Sequence, residues 1–79
     1  MKLSARPINL DGIILSAAEN RKTITIHLAE ASDYDIKATK QLKAGNYEKA
    51  AYYAILSQEH IQIASEAKRE DLKLHALYN

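Results

Sequence analysis

Residues 41 to 53 read QLKAGNYEKAAYY, and this stretch decides the fold. Gly45 is one of two glycines in the chain, and the single proline, Pro7, lies far upstream. A glycine between two helix-forming runs closes the first by adopting a left-handed conformation without steric cost, and the asparagine after it can cap the second. Lys40 and Lys43 precede the corner, where cations suit the C-terminal end of a helix dipole. Glu48 follows it, where a negative charge suits an N-terminal end. The spacing therefore predicts a helix, a sharp corner at Gly45–Asn46, and a second helix.

Working outward, the run from Tyr47 to Tyr78 contains no Gly or Pro and is rich in strong helix formers such as Ala50, Ala51, Leu56, Ala64, Ala67 and Leu72. On the other side, Leu10, Ile13, Ala17, Ile24, Leu28, Ala31, Ala38 and Leu42 recur in steps of three and four once two polar positions are allowed, the signature of one helical stripe. Asn9 is a plausible N-cap, with Asp11 in the first turn. The β-branched run Thr23-Ile24-Thr25-Ile26 is the one place where this helix could break. The expected organisation is a single domain: a tail at 1–8, a first helix at 9–44 with a possible break near 20–25, a turn at 45–46, and a second helix at 47–78.

The two arms match in length, so they are expected to pack antiparallel. If the chain turns at 45–46, facing residues have numbers summing to roughly 91. This sets Leu28 against Ile63, Ala31 against His60 and Ala38 against Tyr53. The inner seam of the second helix then reads Tyr53, Leu56, His60, Ile63, Ala67 and Leu74. Tyr47, Ala50, Ala54, Ile61 and Leu72 remain as surplus apolar surface, and a helix apolar around half its circumference needs two neighbours. The expected fold is all-α: a long antiparallel two-helix hairpin pairing into a homodimeric four-helix bundle. The competing closure folds residues 1–20 back as a third helix.

Composition narrows the function classes. The 79 residues carry 11 basic and 10 acidic side chains, a net charge of +1, so no strong field favours nucleic acid or an anionic membrane. Cysteine, Phe and Trp are absent, which removes disulfides and thiolate metal sites and leaves five tyrosines as the aromatic mass. No run reaches the ~18 apolar residues of a membrane span, and the N-terminus lacks the pattern of a signal peptide. A cytoplasmic protein is expected.

Two resemblances follow from these residues. Tyr34, Ala38, Gly45, Tyr47, Ala50 and Ala54 resemble a single tetratricopeptide repeat, which implies two antiparallel helices packed through small side chains. Lys37 stands where that repeat usually has leucine, no proline closes the unit near Gln62, and there is no second copy, so a peptide-binding groove does not carry over. Gly45, Asn46, Lys49, Ala50 and Ala51, followed by His60, Ala64, Ala67 and His75, are similar to small bacterial Ala/His-rich helical-hairpin proteins. That likeness implies a two-helix unit and no particular activity.

Residues able to do chemistry are few. His60 falls on the expected seam one turn from Asp35, and the pair reads either as a register-fixing hydrogen bond in the core or as part of a metal or ligand site with His27. The Glu-x-x-His pattern of carboxylate-bridged di-metal bundles does not occur. Asp71 and His75 read as a surface pair, the tyrosines as packing groups, and residues 66–71, EAKRED, as a solvated face. No phosphate loop or nucleophile elbow is present. The expectation is a non-enzymatic interaction or adaptor module without a cofactor. It would act through self-association and helix-in-groove contacts with itself or an unidentified protein partner, binding neither nucleic acid nor membrane. The alternative is a metal- or small-ligand-binding bundle using His60 and Asp35.

Overall fold

The computed structural model describes residues 10–78, with the side chains of residues 10, 11, 13 and 78 outside that description. It is all-helical: α1 spans Leu10–Lys43 and α2 spans Tyr47–Tyr78. The β-branched run does not interrupt α1. Thr23 and Ile24 are half-buried against α2 and Thr25 and Ile26 are exposed, so packing along one face outweighs a small loss of intrinsic helix propensity. The tail at 1–8 and the Asn9 cap lie outside the described residues, as do the Leu10 and Ile13 side chains of the expected stripe. At 34 residues α1 is about 51 Å long.

The corner is a Schellman closure. Gly45 sits at φ 82°; its N–H donates to the Leu42 carbonyl (3.0 Å) and the Asn46 N–H donates to the Gln41 carbonyl (2.8 Å). The apolar contact that usually accompanies this motif is replaced by a hydrogen bond from Asn46 Nδ2 to Gln41 Oε1 (2.8 Å). The Asn46 carbonyl accepts from the Ala50 N–H (2.9 Å), the first bond of α2. One asparagine thus ends one helix and begins the next.

The helices meet along two strict series in steps of three and four. On α1 these are Ala17, Asn20, Ile24, His27, Ala31, Tyr34, Ala38 and Gln41; on α2 they are Ala50, Tyr53, Ser57, His60, Ala64, Ala67, Asp71 and Leu74. Every one of these residues is buried or half-buried. The fully buried ones are all small: Ala31, Ala38, Ala50, Ala64 and Ser57. Small residues seven apart, Ala31 and Ala38 on α1 and Ala50, Ser57 and Ala64 on α2, let the two backbones approach closely. Ser57 Oγ then reaches across to donate to the Ala31 carbonyl at 2.9 Å.

This seam corrects the expected pairing. His27 lies against His60 and Ala31 against Ser57, so facing numbers sum to 87 or 88. The tight closure at Gly45 shortens the corner, and the most buried seam positions hold small side chains rather than large ones. Leu28 (49% exposed), Leu42 (54%) and Ile63 (39%), all expected inside, are outside. Ala50, expected on the surplus face, is buried between the helices. No helix among the described residues is long and apolar enough to cross a membrane.

Candidate functional site

Halfway along the hairpin the seam carries rings. His27 and His60 meet edge to edge with centroids 4.9 Å apart, His60 lies alongside Tyr34 at 5.6 Å, and Tyr34 alongside Tyr53 at 6.1 Å, all within 24° of parallel. The ladder alternates between helices because His27/His60 and Tyr34/Tyr53 form the two layers on either side of Ala31/Ser57. Lys37 covers its outer side, with Nζ 5.3 Å from the Tyr34 centroid and 5.8 Å from that of Tyr53, within range of the ring quadrupole.

At the histidine end, three ligand-type atoms converge. His27 Nδ1 and His60 Nδ1 are 2.7 Å apart. Glu30 Oε1 stands 3.5 Å from the first and 3.4 Å from the second. Among the described residues this is the group of three such side chains whose ligand atoms all lie within 4.8 Å of one another. A contact of 2.7 Å between two imidazole nitrogens needs one N–H donor and one lone pair. The neutral pair therefore holds opposite tautomers, or one proton is shared. Two fully protonated rings would set N–H against N–H.

Asp35 is not part of this group. Its side chain is exposed, while its backbone carbonyl accepts from Thr39 Oγ1 (3.0 Å). Glu30 takes the place beside His60 that the sequence reading gave to Asp35. The spacing of His27 and Glu30, three apart on one helix face, was a usable signal; the wrong register hid it by placing His60 opposite Ala31. Asp71 is drawn into the seam, where its Oδ2 lies 3.7 Å from Arg21 Nε.

The flanks of the seam differ in charge. Residues immediately following each seam position, such as Leu28, Leu42, Ala54, Ile61 and Leu72, lie on one side of the hairpin. Their only formal charges are Arg21, Asp35 and Lys68. Residues immediately preceding each seam position lie on the other side and carry ten: Glu19, Glu30, Asp33, Lys37 and Lys40 on α1, with Lys49, Glu59, Glu66, Glu70 and Lys73 on α2. The histidine cluster opens, through Glu30, on this charged side. On the low-charge side Leu42, Tyr47, Ala51 and Ala54 line a shallow groove near the turn. Ile14, Ala18, Arg21 and His75 line another near the open end. Of the surplus residues read from sequence, Tyr47, Ala54, Ile61 and Leu72 are exposed on this side, with Tyr47 at 70% and Leu72 at 63%. Comparison with protein-family models, curated proteins and solved structures finds no match to this chain.

Proposed function

We propose that the chain is a non-enzymatic interaction module whose first partner is a second copy of itself, joined through the low-charge side into an antiparallel four-helix bundle. The observation carrying this reading is the charge division between the two flanks, three against ten, with Leu28, Leu42, Tyr47, Ile61 and Leu72 exposed on the poorer one.

Area and symmetry favour a second copy over an unrelated partner. A face two helices wide and about 50 Å long measures on the order of 900 Å², near the ~800 Å² each partner contributes to a stable interface. The charges choose the orientation. Leu28 and Ile61 lie at mid-height, with Asp35 two turns toward the corner and Arg21 and Lys68 two turns away from it. A two-fold axis crossing the hairpin at Leu28 and Ile61 stacks α1 on the other α1 and sets Asp35 of each copy against Arg21 of the other. An axis along the hairpin would instead stack Arg21 on Lys68, like against like. The seam alone gives reason to associate. Its fully buried side chains are alanines and one serine, each contributing far less than the ~1.5–3 kcal/mol of a buried Leu or Ile.

The chain has no cysteine, so single cysteines report the geometry directly. Leu28→Cys is expected to form a disulfide-linked dimer. Leu42→Cys alone should not, but mixed with Ile14→Cys it should. Self-linking of Leu42→Cys would reject the antiparallel arrangement, and a monomer throughout the micromolar range in sedimentation equilibrium would reject self-association.

A further inference from the structure

We propose that His27, Glu30 and His60 bind one zinc-type divalent cation through His27 Nδ1, His60 Nδ1 and a Glu30 carboxylate oxygen. Two imidazoles and one carboxylate are a ligand set that borderline divalent ions accept, with the fourth tetrahedral position left to water. The geometry is close to what the ion requires. Ligand atoms about 2.0–2.1 Å from a tetrahedral zinc stand about 3.3 Å from one another. Glu30 Oε1 already lies 3.5 and 3.4 Å from the two nitrogens. Only the nitrogen–nitrogen contact, 2.7 Å, must open, by about half an ångström.

That opening is a matter of ring rotation. The His27 and His60 side chains are 25% and 20% exposed, and Glu30 is 49% exposed, so the ion has an approach from the charged side. Tyr34 alongside His60 holds one ring plane and leaves its nitrogens accessible. Coordination needs no net proton loss from two neutral rings: the hydrogen on one Nδ1 moves to Nε2 of that ring, and both Nδ1 lone pairs turn to the metal. The complex carries one net positive charge, a divalent cation less one carboxylate. Because the ligands come from both helices, the ion ties α1 to α2 at mid-length. The site lies on the flank opposite the proposed dimer face, so either proposal can fail without the other.

The test is calorimetric titration of zinc chloride into untagged, chelator-treated protein, with cobalt substitution as a spectroscopic check. The expected result is saturation at one ion per chain, a melting temperature that rises with zinc, and visible d–d bands of tetrahedral cobalt. His60→Ala is expected to abolish binding. Glu30→Gln, on a half-exposed side chain whose change leaves the helix intact, is expected to weaken it by at least about tenfold. His75→Ala should change nothing. Affinity should fall on acidification, because a protonated imidazole has no lone pair to give. Absence of saturable zinc binding at hundred-micromolar metal, unchanged affinity in Glu30→Gln, or loss of binding in His75→Ala would each overturn the assignment. If His60→Ala does not fold, Glu30→Gln and His75→Ala decide the matter.

Discussion

The two flanks of this hairpin are built on the same seam and differ by one step in the heptad. Residues just after the seam positions are mostly small or apolar; residues just before them are mostly charged. The lesson is that a two-helix unit this thin has no inside in the ordinary sense. Its most buried side chains are alanines and a serine, and the larger apolar groups stand exposed around it: Leu28, Leu42, Ile61 and Leu72 among few charges on one flank, Ile26 and Ile63 among many on the other. Much of the large apolar surface therefore stays unburied within a single chain. The charged flank stays wetted and holds the polar chemistry of His27, Glu30 and His60.

Several changes break or sharpen this contrast. The largest effect is expected from Ile61→Asp. It removes apolar burial worth about 2 kcal/mol and sets a charge in a desolvated face, and two-fold symmetry applies the change twice. The dimer dissociation constant should rise at least ~100-fold in sedimentation equilibrium, whereas Ile63→Asp, on the charged flank, should leave it nearly unchanged. If the two variants behave alike, the flanks are not different in kind.

Next comes Ala64→Leu. Ala64 is 3% exposed, and a larger side chain there wedges the helices apart, costing about 1–3 kcal/mol in denaturant unfolding. Since Ser57 and Ala31 lie two turns away on the same seam, their bridging hydrogen bond should be lost with it. A neutral outcome would mean the helices are not held at alanine distance.

Gly45→Ala should cost about 1–2 kcal/mol, the penalty of a Cβ at positive φ. The added atom meets nothing within 4 Å, so the cost is purely conformational and thermal unfolding at fixed protein concentration should show it. Gly45→Asn should recover part of the loss, because asparagine tolerates that conformation better.

The smallest expected effect belongs to Asp35→Lys. An exposed cross-dimer ion pair is worth about 0.2–1 kcal/mol, so dimer affinity should fall only a few-fold, more at low salt than at high. Asp35→Lys combined with Arg21→Glu and Asp71→Lys, which reverses the 3.7 Å Arg21–Asp71 pair of each chain rather than breaking it, should restore it. Failure of that rescue would remove the charge argument for the orientation while leaving association itself to the Ile61→Asp result.

Much of the architecture was legible from local signals. The corner was readable because a lone glycine followed by asparagine has few other uses between helix formers. The length of α2 was readable because nothing in it stops a helix. The seam was harder. The stripe on α1 correctly held Ala31 and Ala38 but also took in Leu28 and Leu42; on α2, tracing by large apolar residues favoured Leu56 and Ile63, whereas close backbone approach favoured Ala50, Ser57 and Ala64. An error of three in the facing sum was enough to put His60 opposite Ala31 and to nominate Asp35 in place of Glu30. The surplus residues Tyr47, Ala54, Ile61 and Leu72 were found by periodicity, and Ala50 was lost to the same register error.

By itself the sequence determined that two helices form, where they turn, and that no disulfide or thiolate metal site is available, since these depend on residue type and near neighbours along the chain. Only the tertiary structure decided which residues face one another: that His27 meets His60 beside Glu30, that Ala64 rather than Ile63 fills the seam, and that Leu28 and Leu42 are left outside. Pairing between helices is set by the fit of side-chain volumes across a gap, and the pattern along one strip of chain is nearly unchanged when its partner slides by half a heptad.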